Sequence, residues 1–189
     1  MAVGSPAALR TFAAQPLALA IGVFDGVHRG HRKLLEEVVR LAAETGALPV
    51  ALTFDPHPRA VLQPAAPPVL LVSLAERLRL LREAGMAGCA VCAFTPEFAR
   101  TAPEAFLDEL LGDAAIAAIG VGREWRFGAG GRGDAELLAG YARRHHWRLS
   151  AVPELELDGE TVSASRIRRV IAGGDLAEAA AGWLGHLER

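Results

Sequence analysis

Between positions 22 and 31 the chain reads Gly-Val-Phe-Asp-Gly-Val-His-Arg-Gly-His, so His28 and His31 flank Gly30. Gly22, Gly26 and Gly30 let a backbone turn tightly and approach a ligand closely. A short apolar run, Leu17 to Gly22, precedes the segment, and helical spacing of apolar residues follows it. The turn therefore sits where free amides and the positive end of a helix dipole suit a phosphate. Two histidines beside it can donate hydrogen bonds to phosphate oxygens as charge builds on them. No Asp, Glu or Cys ligand set accompanies the pair, which makes a metal centre the weaker alternative. The chemistry indicated is binding of a phosphate group with stabilisation of charge that develops on its oxygens.

Three further segments carry residues of chemical interest. In Thr53-Phe-Asp-Pro-His-Pro58, Pro56 and Pro58 stiffen a loop on which Phe54 and His57 offer flat surfaces. Those surfaces suit a planar ligand or simple packing. In Val121-Gly-Arg-Glu-Trp-Arg-Phe-Gly128, Arg126 suits a phosphate while Trp125 and Phe127 offer aromatic surface. In Ser163-Ala-Ser165-Arg166-Ile-Arg168, hydroxyls and amides at a helix start, followed by arginine, suit a second anion site. An ordinary serine N-cap is the alternative.

These segments need elements to hold them. Strands are expected at Leu17 to Gly22, Pro49 to Phe54, Cys89 to Phe94, Ile116 to Val121 and Arg148 to Val152. Helices are expected over His31 to Thr45, from a capping box at Ser73-Leu-Ala-Glu76, over Pro103 to Leu111, and from Asp134 to His146. Asp55 to Val72 contains five prolines and reads as loop. Leu155 to Val162 reads as a hairpin about Asp158-Gly159, with closing helices at Ser163 to Ala172 and Leu176 to Trp183. The alternation predicts an α/β fold, a Rossmann-like parallel sheet flanked by helices, with ligands beyond the carboxyl ends of the strands.

Composition narrows the class. The 189 residues suffice for one domain with a substantial core. About half are hydrophobic (51%) against 22% charged, which fits a folded globular chain. A net charge of −2 gives no electrostatic argument for a nucleic-acid partner. No run reaches the roughly 18 apolar residues of a membrane span, and the start lacks the pattern of a secretory signal, so a cytoplasmic protein is expected. Cys89 and Cys92 lie three apart in an apolar strand-like run and face opposite sides, reading as buried inert thiols rather than a zinc or redox pair. Gly128-Ala-Gly-Gly-Arg-Gly133 matches a dinucleotide fingerprint literally. Arg123 to Phe127 intervene after the strand, however, so it reads as a loop rather than a nicotinamide site.

The 22–31 segment closely resembles the phosphate loop of the His-x-Gly-His nucleotidyltransferases, specifically the FMN adenylyltransferase module of bacterial FAD synthetases. The likeness continues in order through the Phe-Asp-Pro-His-Pro, Val-Gly-x-Glu-Trp-Arg-Phe-Gly and Ser-x-Ser-Arg-Ile-Arg segments. It implies transfer of AMP from ATP to FMN, giving FAD and pyrophosphate, with Mg²⁺ held mainly by phosphates rather than by protein. On this resemblance His28, His31 and Arg166 are catalytic. Gly22, Phe24, Asp25, Gly26, Gly30, Ser163 and Ser165 bind ATP. Phe54, Pro56, His57, Pro58, Glu124, Trp125, Arg126 and Phe127 bind flavin. Asp25 is assigned to stabilising the turn or to outer-sphere metal contact, not to a base.

The chain departs from the family pattern at Val23 (Asn), Glu124 (Asp), Trp125 (Phe), Ala164 (Ser) and Ser165 (Thr). Its final Leu184-Gly-His-Leu-Glu-Arg189 stands where the family runs on into a riboflavin kinase domain. One domain over 1–189 is expected, with 1–16 loosely ordered, no kinase domain, and a separate riboflavin kinase as a partner. Two rival readings are a same-fold enzyme with another phosphorylated acceptor and a non-catalytic nucleotide-binding regulator.

Overall fold

The computed structural model describes residues 2–4, 9, 11–12, 14–111 and 114–183. In chain order the elements are β1 (Ala2–Gly4), β2 (Leu17–Ile21), α1 (Arg29–Thr45), β3 (Leu48–Asp55), α2 (Pro58–Leu62), α3 (Leu74–Glu83), β4 (Gly88–Ala93) and α4 (Pro103–Leu111). They continue as β5 (Ile116–Gly122), α5 (Ala135–His145), β6 (Arg148–Val152), β7 (Glu156–Leu157), β8 (Glu160–Thr161), α6 (Ala164–Ala172) and α7 (Leu176–Trp183). Six strands pair in parallel in the order β1-β4-β3-β2-β5-β6, and β7 with β8 makes a small antiparallel hairpin. The expected strands and helices form close to their expected bounds.

Two differences stand out. Ala2–Gly4, inside the segment expected to be loosely ordered, pairs with Ala90 to Cys92 as the edge strand, and Leu9 is buried. Much of the remainder of 1–16 lies outside the described residues, as do the closing residues 184–189. Pro58–Leu62, within the expected loop, is a short helix. Pro58 occupies its first turn, where a missing N–H costs nothing, and the His57 side chain caps it.

The sheet is covered on both faces, and alternation along each strand assigns the side chains. Leu17, Leu19 and Ile21 of β2 face a core with Phe106, Leu107, Leu138 and Tyr141 from α4 and α5. Ala18 and Ala20 face the opposite core with Leu34, Leu35, Val38 and Leu41 of α1 and Leu78 and Leu81 of α3. Small residues on this second face let α1 sit close. A Cβ at Gly120 of β5 would stand 2.4 Å from Val38 Cγ2. The close fit fixes α1 against β2 and β5, so its first turn opens at the carboxyl edge of the sheet. There the chain direction switches: β3 follows to one side of β2, and β5 takes the other.

Cys89 and Cys92 are both free and buried, and burial pushes each thiol up to about 12. The reading as inert core residues stands.

Candidate functional site

The chain leaves β2 through a buried turn, Asp25–Val27, before α1 begins. Phe24 and Val27 both adopt positive φ, 54° and 41°, a conformation costly for non-glycine residues that their full burial holds in place. Sequence-distant partners fix the turn. The Asp25 carboxylate accepts hydrogen bonds from the Leu71 amide (3.0 Å) and the Val72 amide (3.3 Å), and pairs with the Arg168 guanidinium. Thr53 Oγ1 donates to the Val23 carbonyl at 2.8 Å. Asp25 is thus a turn-stabilising residue, with its oxygens already engaged.

His28 caps α1, its Nδ1 accepting from the His31 amide at 3.3 Å. That acceptor role leaves the His28 proton on Nε2. The two imidazoles stack with centroids 3.6 Å apart and planes 21° from parallel. Burial lowers the His28 pKa to about 4, the Asp25 charge opposing and the Arg168 charge assisting. Burial also lowers His31 well below its usual value, assisted by His28 and Arg77. Both rings are therefore neutral at pH 7, each carrying one N–H. His31 Nδ1 is buried with no hydrogen-bond partner among the described residues.

A cavity of about 360 Å³ opens over this turn, a volume typical of small-molecule sites. Gly22, Phe24, Asp25, His28, Gly30 and His31 line it where the chain leaves β2. Ser163, Ala164, Ser165 and Arg168, from the start of α6, close over it. Ser163 is the N-cap of α6, accepting from the Arg166 amide at 3.1 Å. Two capped helix starts thus converge, each presenting a positive dipole end to the same space. The ordinary serine cap and the anion site are compatible here, since the capped turn itself faces the cavity.

His57, Glu124 and Trp125 also line the cavity. Trp125 stacks on Phe127, with centroids 4.6 Å apart and planes 19° from parallel. Burial, then the Arg168 charge, lowers the His57 pKa, with Asp25 opposing. His57 Nδ1 accepts from the Arg59 amide at 3.1 Å.

Several singled-out residues do not line this cavity. Arg166 turns away: its guanidinium bonds Glu178 Oε1 (2.8 Å) and the carbonyls of Glu160 (2.9 Å) and Leu157 (3.1 Å). Successive helical residues are rotated by about 100°, so positions 166 and 168 point to nearly opposite sides and only Arg168 faces in. Arg126 is exposed and pairs with Asp134 at 3.2 Å. Phe127 is buried, its backbone exchanging hydrogen bonds with Gly133 that close the Gly128 to Gly133 loop. Phe54 packs in the core against Phe94 and Phe98. Pro56, Pro58 and Gly26 shape backbone without lining the cavity.

Sequence reasoning also passed over Arg77, which is fully buried on α3. Its Nη1 donates to the Phe54 carbonyl at 3.0 Å, while Nε and Nη2 have no partner among the described residues. Burial lowers its pKa, opposed by Asp25 and Asp55. One of three arginines on a leucine-rich helix, it gave no signal of its own in the sequence.

Among the described residues, no three His, Cys, Asp or Glu side chains converge as a metal-ligand set. No described helix is long and apolar enough to cross a membrane.

Comparison with known proteins places this geometry. The family model described as FAD synthetase matches residues 11–166. A bifunctional riboflavin kinase/FMN adenylyltransferase of Listeria monocytogenes is 32% identical over 85% of this chain and 51% of its own length. A putative bifunctional riboflavin kinase/FMN adenylyltransferase of Geobacillus thermodenitrificans is 34% identical over 83% of each chain. An FAD synthetase of L. monocytogenes is 33% identical over 85% of this chain and 65% of its own. The chain spans about half the length of the first of these relatives. A solved Streptococcus pneumoniae chain, described as a macrolide-efflux protein, superposes with a TM-score of 0.81 at 26% identity, over 89% of this chain and 56% of that one. That likeness supports the fold, which by itself assigns no activity. With a family model matched over most of its length and a relative matched along most of both chains, the chain belongs to the FAD synthetase family.

Proposed function

We propose that the cavity binds ATP and FMN and joins them as FAD, releasing pyrophosphate. An oxygen of the FMN phosphate attacks the α-phosphorus of ATP in line. A new P–O bond forms, the bond from that phosphorus to the bridging oxygen breaks, and its electron pair leaves with pyrophosphate. The observation that carries the reading is the convergence of two capped helix starts, Arg168 and a neutral stacked histidine pair on a cavity that Trp125 also lines.

Each part has a task in this reading. The starts of α1 and α6, with Ser163, Ser165 and Arg168, hold the triphosphate. His28 and His31 donate neutral N–H groups to oxygens on which charge develops, without the repulsion two imidazolium ions would suffer at 3.6 Å. Arg168 replaces Arg166 as the arginine of the phosphate end. Trp125 and His57 flank the planar acceptor, and Glu124 stands beside them. No protein base is needed, because a phosphate monoester arrives ionised. A magnesium ion would offset charge on the phosphates. With both Asp25 oxygens engaged by amides and Arg168, the residues fit an ion held by substrate and water.

The experiment is pyrophosphate release from ATP and Mg²⁺ with and without FMN, with the flavin product separated by chromatography. FMN-dependent release with FAD formed is the expected result. Release that depends on a different phosphorylated acceptor would discard FMN as substrate, and no release with any acceptor would discard the catalytic reading.

A further inference from the structure

The turn that carries His28 is gripped on two sides. On one, Asp25 binds the Leu71 and Val72 amides and Arg168 of α6. On the other stands α7, which also holds Arg166 through Glu178. The indole Nε1–H of Trp183 donates to the Gly26 carbonyl, 157 residues away in sequence. Two residues earlier, the Ala181 carbonyl accepts from Arg29 Nη1 at 3.3 Å, where Arg29 is the first residue of α1. Two points of α7 therefore hold the two residues that bracket Val27 and His28.

The contact at Gly26 is close. Gly26 has a φ of 79°, and a Cβ there would lie 3.3 Å from Trp183 Nε1 and 2.9 Å from Leu71 Cδ1. The peptide is thus wedged between α7 and the 71–72 segment. Its neighbour Val27 is held at a φ of 41°, which a free chain would relax. A turn held in a strained conformation needs restraint from outside itself, and the indole bond supplies a directional one. Rotation of the Gly26 peptide would shift His28, and with it the Nδ1 that accepts from the His31 amide.

From this geometry we infer that Trp183 is a positioning residue for nucleotidyl transfer, clamping the Gly26 carbonyl so that the His28–His31 pair meets the triphosphate in register. The inference rests on the proposed function for its kinetic consequence, but the clamp itself is a property of the ATP end alone. Trp183 touches no reacting atom. It acts through Gly26 on His28.

Trp183→Phe keeps an aromatic ring on α7 and removes the donor. Its expected effect is a loss in kcat of about tenfold, the scale on which small misplacements at reacting centres act, with a thermal midpoint within a few degrees of the parent. Parent-like kcat in a folded Trp183→Phe protein would overturn the inference, whatever its midpoint. A second measurement is independent of turnover and of that variant's folding. In a Trp125→Phe/Trp147→Phe protein, Trp183 is the sole tryptophan, and the solvent exchange of its indole N–H is followed by NMR without ligand. A slowly exchanging indole N–H is expected; exchange at the rate of a free indole would overturn the clamp. If the parent releases no pyrophosphate with any acceptor, the functional reading fails, and the indole exchange alone then decides the clamp.

Discussion

The end of the cavity proposed for phosphate and the end proposed for the acceptor are built differently. At the first, Asp25 and His28 are buried and the turn is tied to distant parts of the chain: the Val23 carbonyl to Thr53, the Asp25 carboxylate to residues 71, 72 and 168, the Gly26 carbonyl to Trp183. At the second, Glu124 is exposed, Trp125 is half-buried, and Arg126 beside them reaches solvent. The first end is preorganised, with its hydrogen bonds made before any ligand arrives. The second offers aromatic surface and few fixed polar groups. Reactions that stabilise developing charge need the first kind of construction, because dipoles already in place cost no reorganisation. Recognition of a flat ring tolerates the second.

Substitutions should separate the two ends, beginning with the largest effect. His31→Ala removes a donor from the preorganised end, and a fall in kcat of about 100- to 1,000-fold is expected with the fold retained. Steady-state pyrophosphate release beside a circular dichroism melt checks it, and unchanged turnover would remove His31 from the reaction.

The same end should also dominate the acid behaviour of the fold. The folded-state pKa of His28 lies below its unfolded value of 6.5, at about 4. The unfolded chain therefore takes up the proton first. The stability His28 contributes is complete above pH 6.5 and is lost as pH falls from there through about 4. The full swing is about 3 kcal/mol for His28 alone, to order of magnitude. Urea unfolding at pH 7, 5.5 and 4.5 should show this decline, and His28→Gln should make it shallower, with His31 and His57 still contributing. An equally steep decline in His28→Gln would assign the effect elsewhere.

At the acceptor end, Trp125→Ala should raise the KM for FMN by about tenfold, in line with the loss of an aromatic stacking contact. The KM for ATP should stay within twofold of the parent. Equal losses for both substrates would erase the distinction between the ends. The smallest effect is expected at Arg126→Ala. Its ion pair with Asp134 is exposed on both sides, so stability should change by less than about 1 kcal/mol. A large rise in the KM for FMN would return Arg126 to the flavin site.

The sequence made the layout legible where local chemistry decides it. Alternating apolar strands and helical stripes yielded the sheet, and Ser73, Asp134 and Ser163 marked helix starts that the structure places as caps. The phosphate loop was legible because glycines and histidines at fixed spacing have few other uses. Facing was harder. Arg166 and Arg168 lie two apart on α6, and only the docking of that helix selects which enters the cavity. Phe54 and Phe127 present flat rings in the sequence, yet the core claims both, since burial of an aromatic ring is worth as much inside the fold as on a ligand. Arg77 and Trp183 left no local mark at all. Their roles arise from contacts with residues 23 to 157 positions away.

The strand order has a consequence for synthesis. β2 is central, but its two neighbours lie at very different distances along the chain: Leu17 pairs with Leu48 on one side and Ile116 on the other. As the chain emerges from the ribosome, β2, β3 and β4 can assemble while the second edge of β2 stays open. It remains so until about seventy further residues have followed β3. An open apolar edge invites pairing with other chains. The nascent protein should therefore be most prone to aggregate when synthesis pauses between β4 and β5, and the arrival of β5 ends that exposure of β2.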